Sequence, residues 1–128
     1  MTKLNSYLSL IRFYNPIGFW LLLWPGLWGL FLSNNFNIEN FTIVVLGSFL
    51  TRSLGCAIND FLDKDFDKNV ERTKNRPIAS KDLSLSEAGI FIVILASICI
   101  FLLMQTNPFT IKLVSYFAIP MIIFYPLM

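Results

Sequence analysis

Apolar and polar positions follow one another along this chain in long blocks, not in the short alternations of a soluble domain. Residues 16–33 (PIGFWLLLWPGLWGLFLS) carry no charged side chain, and residues 40–58 (NFTIVVLGSFLTRSLGCAI) carry one, Arg52. Residues 86–104 hold only Glu87 and residues 110–128 only Lys112, each near the start of its block. About 20 residues at 1.5 Å each cross a hydrocarbon core of roughly 30 Å, so the pattern predicts four transmembrane helices. The expected fold class is an all-α membrane protein. The first block is too long for a signal-peptide core and lacks a small-residue cleavage site, so it is expected to stay in the mature protein.

Finer periodicities refine this layout. Leu4, Tyr7, Leu8, Ile11 and Tyr14 fall at helical spacing before Pro16, which predicts a short interfacial helix over residues 4–14 with Pro16 opening the first span. Trp20, Trp24 and Trp28 recur every fourth residue and share a face. They cover about 12 Å of helix axis, too much for one interfacial belt, so bundle packing or the lining of a cavity is expected of them. Pro25-Gly26 should kink this helix, and Gly26, Gly29, Gly47 and Gly55 would permit close helix contact.

Composition agrees with a bilayer as solvent: of the 128 residues 55% are hydrophobic and only 14% charged. The net charge of +2 gives no reason to expect a nucleic-acid partner. With no histidine, the usual neutral-pH proton shuttle and the commonest zinc ligand are both missing. Cys56 and Cys99 lie inside apolar blocks and read as buried free thiols. Lys3 and Arg12 precede the first block, and Lys64, Lys68, Arg72, Lys74, Arg76 and Lys81 fill the 59–85 link; the two opposite links hold no Lys or Arg, with only Lys112 nearby. The positive-inside rule therefore puts the N-terminus and the 59–85 loop in the cytoplasm.

The 59–77 island is where chemistry is expected. If the second helix runs on past Ile58, then Arg52, Asn59, Asp63 and Asp67 share one stripe at offsets of seven, four and four, with Asp60 beside it. Oxygen donors of this kind suit magnesium, which binds through one or two carboxylates plus substrate phosphates and waters. Arg72 and Arg76, again four apart, are candidates to grip phosphate oxygens. An EF-hand is excluded, because Lys68 and Lys74 stand where that loop needs Gly and Glu. A mixed-charge loop stitched by its own salt bridges accounts for the charge count, but not for the four-residue spacing or the alignment with Arg52. Arg52 sits about 10 Å below Asn59 along the helix, a long reach for snorkelling, and an intramembrane arginine asks for an anionic partner.

Asn59-Asp60-x2-Asp63-x3-Asp67 followed by x4-Arg72-Thr73-x2-Arg76-Pro77 resembles the first signature of the UbiA superfamily of intramembrane prenyltransferases. Arg12-x3-Pro16-Ile17-Gly18, running on to Leu-Leu-Leu-Trp24-Pro25, is similar to the branch that acts on 4-hydroxybenzoate. So are Arg52-x2-Gly55-Cys56-x2-Asn59-Asp60 and Tyr125-Pro126. The resemblance covers essentially the whole chain. It departs at Asn15, where the branch has a basic residue. The family also carries further spans and a second aspartate-rich motif, so the chain reads as the N-terminal half of such a bundle, expected to be inactive by itself.

The resemblance implies a metal-assisted electrophilic substitution in ubiquinone synthesis. Magnesium held by Asn59, Asp63 and Asp67 would bind the diphosphate of a polyprenyl donor, and Asp63, Asp67, Arg72 and Arg76 form the expected catalytic group. Arg52 would pair with the carboxylate of 4-hydroxybenzoate, and Asn59, Asp60, Arg72 and Arg76 complete the expected substrate-binding set. The expected partners are polyprenyl diphosphate, 4-hydroxybenzoate and the lipid bilayer, in a bacterial or mitochondrial inner membrane. A sibling enzyme acting on haem, a naphthoate or homogentisate is the near alternative, and a non-catalytic truncated membrane protein the distant one.

Overall fold

The computed structural model describes residues 2–34 and 36–124, and the described residues contain helices and turns but no strand. The order is α1 (Lys3–Leu10), α2 (Ile17–Leu32), α3 (Ile38–Leu62), α4 (Lys64–Asp67), α5 (Leu85–Met104) and α6 (Pro108–Leu113), then a π-helical turn (Val114–Ala118) and α7 (Ile119–Phe124). α3 is the central element, packed against α2 on one side and α5 on the other, and α1 lies against it as well.

The helix starts are set by local chemistry. Asn37 caps α3 by accepting the Asn40 amide at 2.8 Å, and Asn107 caps α6 from Thr110 at 2.8 Å with Pro108 in the first turn. α5 opens on a capping box, in which the Ser84 side chain accepts the Glu87 amide at 3.1 Å and Glu87 accepts the Ser84 amide at 3.0 Å. Lys3 donates to that same Glu87 at 2.8 Å, tying α1 to the start of α5.

Four transmembrane helices were expected, and the helices differ in how far they meet that. α3 (25 residues) and α5 (20 residues) are long and apolar enough to cross a membrane; α2, with 16, is a shorter apolar helix. The last block is divided by the π-helical turn. Pro120 explains the division: it has no amide to offer the Tyr116 carbonyl and its ring crowds that group, so the turn widens. The interfacial helix is shorter than the expected 4–14, because Arg12 takes a left-handed conformation (φ 58°) that ends the helical path. Tyr125-Pro126 lie outside the described residues.

The buried core sits at the loop end of the α3–α5 pair, where Leu10, Ala57, Ile78, Leu83, Ala88 and Leu95 meet. The 59–84 link is therefore a folded cap and not a solvated connection, since Ile78, Ala79 and Leu83 turn inward. Away from this end most apolar side chains face outward. Trp20, Trp24 and Trp28 are 47%, 51% and 61% exposed, so the expected packing of that stripe is not made within the described residues. α2 instead turns Leu23 and Leu30 inward and brings Gly26 against Val44. Of the glycines expected at close contacts, Gly26 is in one, Gly47 makes ordinary contact with Leu102, and Gly29 and Gly55 face open space.

Candidate active site

α3 runs unbroken through Ile58 to Leu62, so Arg52 and Asn59 lie on one helical face, and Asp63 follows as the residue that ends the helix. Asp63 has φ −90° and ψ 6°, which interrupts the helix, yet the Asp67 amide still donates to the Asp63 carbonyl at 2.8 Å. Asp67 consequently stays one turn beyond Asp63 in spite of the break. Arg52 is half-buried, and its Nε is enclosed without a hydrogen-bond partner. The guanidinium crosses the space beside Gly18, so the Pro16-Ile17-Gly18 segment and the Arg52 turn of α3 form one surface. An enclosed guanidinium N–H left unpaired is costly, and a shift of the side chain that brought it to an acceptor would relieve that cost.

Asp60 occupies the neighbouring face, and it is enclosed completely. Its Oδ1 accepts Arg12 Nη2 at 2.8 Å and lies 3.1 Å from Arg76 Nη1, while its Oδ2 meets no partner. The same Arg76 nitrogen donates to Asp67 Oδ2 at 2.9 Å. Thr73 is buried underneath and donates its hydroxyl to the Asp67 carbonyl at 3.1 Å, which fixes the turn that returns Arg76 to α3. The expectation that Asp60 touches substrate needs restating on this geometry: its carboxylate faces two arginines and has no exposed surface.

The remaining members separate clearly. Asn59 and Asp63 are half-buried, and their side chains make no hydrogen bond or ion pair among the described residues. Asp65 turns to Lys68 at 3.0 Å, and that hydrogen-bonded ammonium holds its carboxyl below the usual carboxylate range. Arg72 is exposed and unpartnered among the described residues, on a run of turns with no helix beneath it. The four-residue spacing therefore does not by itself align Arg72 with Arg76. No three His, Cys, Asp or Glu side chains stand together as a metal cage among the described residues. The donors at the stripe are an amide and two carboxylates, the kind of set magnesium takes when waters and phosphates complete its shell.

A second feature lies across α3. An apolar cavity of about 370 Å³ opens between α3, α5 and the α6–α7 segment, lined among others by Gly47, Leu50, Leu54, Leu103 and Ile119. At about 100° per residue, Gly47, Leu50 and Leu54 lie on the side of α3 opposite Arg52 and Asn59. The polar stripe and this cavity are thus back to back on one helix. The sequence reading missed the partners of Asp60 and the notch at Gly18. Arg12 enters the sequence reading as a flanking charge and a motif residue and Gly18 as a motif residue alone, because nothing local to either points toward α3.

Residues 22–128 match the UbiA prenyltransferase family. Among curated proteins, the chain is 44% identical over 126 residues to the 4-hydroxybenzoate octaprenyltransferase of Polynucleobacter asymbioticus, covering 97% of this chain and 44% of that protein. It is 42% identical over 130 residues to the protein of the same name from Vibrio atlanticus, with 99% and 45% covered. The corresponding protein of Vesicomyosocius okutanii is 47% identical over 118 residues, with 91% and 43% covered. The chain spans less than half the length of these relatives. No solved structure matches.

Proposed function

This chain belongs to the UbiA prenyltransferase family, and from that premise we propose that it contributes the donor-binding part of a 4-hydroxybenzoate polyprenyltransferase of a bacterial inner membrane. The observation that carries the reading is that Arg52 and Asn59 share one face of α3, Asp63 ends that helix, and Asp67, one turn beyond, accepts from Arg76. Relatives named for octaprenyl transfer to 4-hydroxybenzoate align over nearly all of the chain and support the choice of substrates. In this reading all four apolar blocks span the bilayer, with the N-terminus and the 59–85 loop in the cytoplasm.

The residues divide the work. Asn59, Asp63 and Asp67 would hold magnesium, which when bound would supply positive charge to the diphosphate leaving group. Arg76 and the exposed Arg72 add charge-assisted hydrogen bonds to the phosphate oxygens. Arg52 takes the benzoate carboxylate, since its Nε is enclosed and unpaired on the same helical face as Asn59. The allylic C–O bond of the donor breaks, a C–C bond forms to the ring carbon beside the phenol hydroxyl, pyrophosphate departs and the ring loses a proton. Fixed charges aimed at the leaving group stabilise that separation of charge without any histidine.

The test is reconstitution of the intact protein in vesicles with magnesium, a polyprenyl diphosphate and 4-hydroxybenzoate, followed by mass spectrometry. Prenylated 4-hydroxybenzoate is the expected product. Transfer to a naphthoate, homogentisate or haem in its place would overturn the acceptor assignment.

A further inference from the structure

The site contains a carboxylate that the proposed reaction leaves without a task. Asp60 is wholly enclosed, so it touches neither solvent nor a diphosphate, yet it stands between two arginines. Arg76 Nη1 is shared: it lies 3.1 Å from Asp60 Oδ1 and 2.9 Å from Asp67 Oδ2. One guanidinium nitrogen is thus divided between an enclosed carboxylate and a carboxylate of the proposed metal set. A cation that takes Asp67 competes with Arg76 for the charge of its carboxylate, and the strength of the Asp60 side of the pair sets how readily Arg76 yields.

Resting on the diphosphate reading, we infer that Asp60 is a positioning residue that competes with Asp67 for Arg76, leaving Asp67 available to a metal while keeping Arg76 at the site. Arg12 tunes the competition. It reaches the same Oδ1 at 2.8 Å from a left-handed turn, and so takes part of the Asp60 charge that Arg76 would otherwise receive. A non-glycine residue persists in that conformation when its surroundings over-determine it, and the Asp60 ion pair is such a determinant. The segment before α2 thereby becomes part of the donor site without touching the donor.

The inference predicts signs that a purely structural carboxylate would not give. The probes are Mn²⁺, followed by electron paramagnetic resonance in the intact protein, and inorganic pyrophosphate. Asp60→Asn hands Arg76 to Asp67 alone, so half-saturating Mn²⁺ rises, on the order of three- to tenfold for coupled neighbours. In an Arg76→Ala background the competitor is gone, and Asp60→Asn leaves Mn²⁺ binding where Arg76→Ala alone puts it. Arg12→Gln returns Asp60 to Arg76, frees Asp67 and moves half-saturation to lower Mn²⁺; because it leaves Asp60 in place, it tests the idea even if Asp60→Asn does not fold. An equal shift from Asp60→Asn in both backgrounds, no shift in the wild-type background, or unchanged or weaker Mn²⁺ binding in Arg12→Gln overturns the inference. Wild-type protein that binds neither Mn²⁺ nor pyrophosphate overturns the diphosphate reading itself.

Discussion

The Arg52 side chain of α3 occupies the space that Gly18 of α2 leaves by having no Cβ, with its Nε, Cζ and Nη2 all against that position. Two sequence pieces 34 residues apart, Pro16-Ile17-Gly18 and Arg52-x2-Gly55, therefore meet at one point. The contact fixes where the guanidinium can lie. Since the obstructing atoms are the far end of a flexible side chain, a methyl group at residue 18 displaces Arg52 and leaves the helices where they are. In the intact protein, Gly18→Ala is expected to raise the KM for 4-hydroxybenzoate while the KM for the polyprenyl donor and the thermal midpoint in detergent stay nearly constant. A parallel rise for both substrates would remove Arg52 from the acceptor site.

Arg52→Ala should produce the same imbalance more strongly. A hydrogen bond to a charged group is worth about 1.5–3 kcal/mol, so the acceptor KM should rise by roughly ten- to a hundredfold. Steady-state kinetics with each substrate varied in turn makes the comparison. Equal losses for donor and acceptor would instead assign Arg52 to the diphosphate or to the fold.

Made in the intact protein, Asp63→Ala and Asp67→Ala are both expected to abolish magnesium-dependent transfer, by at least the roughly 10²–10³-fold typical of a lost electrostatic stabiliser. They should differ in stability. Asp63 has no side-chain partner among the described residues, so its removal costs no more than about 0.5 kcal/mol. Asp67 shares Arg76 with Asp60, and its loss leaves that guanidinium half-paired. Unfolding in detergent read beside the transfer assay separates the two variants. Undiminished turnover of either at low magnesium would sink the metal assignment.

The parts of this site that were legible in the sequence are those that depend on helical period alone. Arg52 and Asn59 fall on one face because α3 really does continue past Ile58, and the spacing of seven already encoded that. Asp67 was harder, because the helix is interrupted at Asp63, a break that apolar patterning does not mark. The partners of Asp60 were out of reach: Arg12 is 48 residues away and Arg76 is carried back by turns. Ion pairs across such distances leave no local period. The blocks predicted helices well, but Pro120 had been passed over within the last one, and the π-helical turn there is its consequence.

The α2–α3 interface makes a prediction with a built-in control. A Cβ on Gly26 would come within 2.9 Å of Val44 Cγ1, closer than side-chain atoms pack, so Gly26→Ala must push α2 off α3 or force Val44 out of its rotamer. Overpacking of this kind costs about 1–3 kcal/mol, and α2 carries Gly18, so the Arg52 notch should be disturbed as well. Gly29, one turn further along the same helix, faces open space, and Gly29→Ala should be neutral or slightly stabilising through its better helix propensity. Thermal unfolding of the purified protein in detergent is expected to show a lowered midpoint for Gly26→Ala only. Val44→Ala in the same chain should restore part of the loss by opening room for the new methyl. A Gly26→Ala midpoint equal to that of Gly29→Ala would mean that α2 and α3 do not meet as closely as Gly26 and Val44 imply.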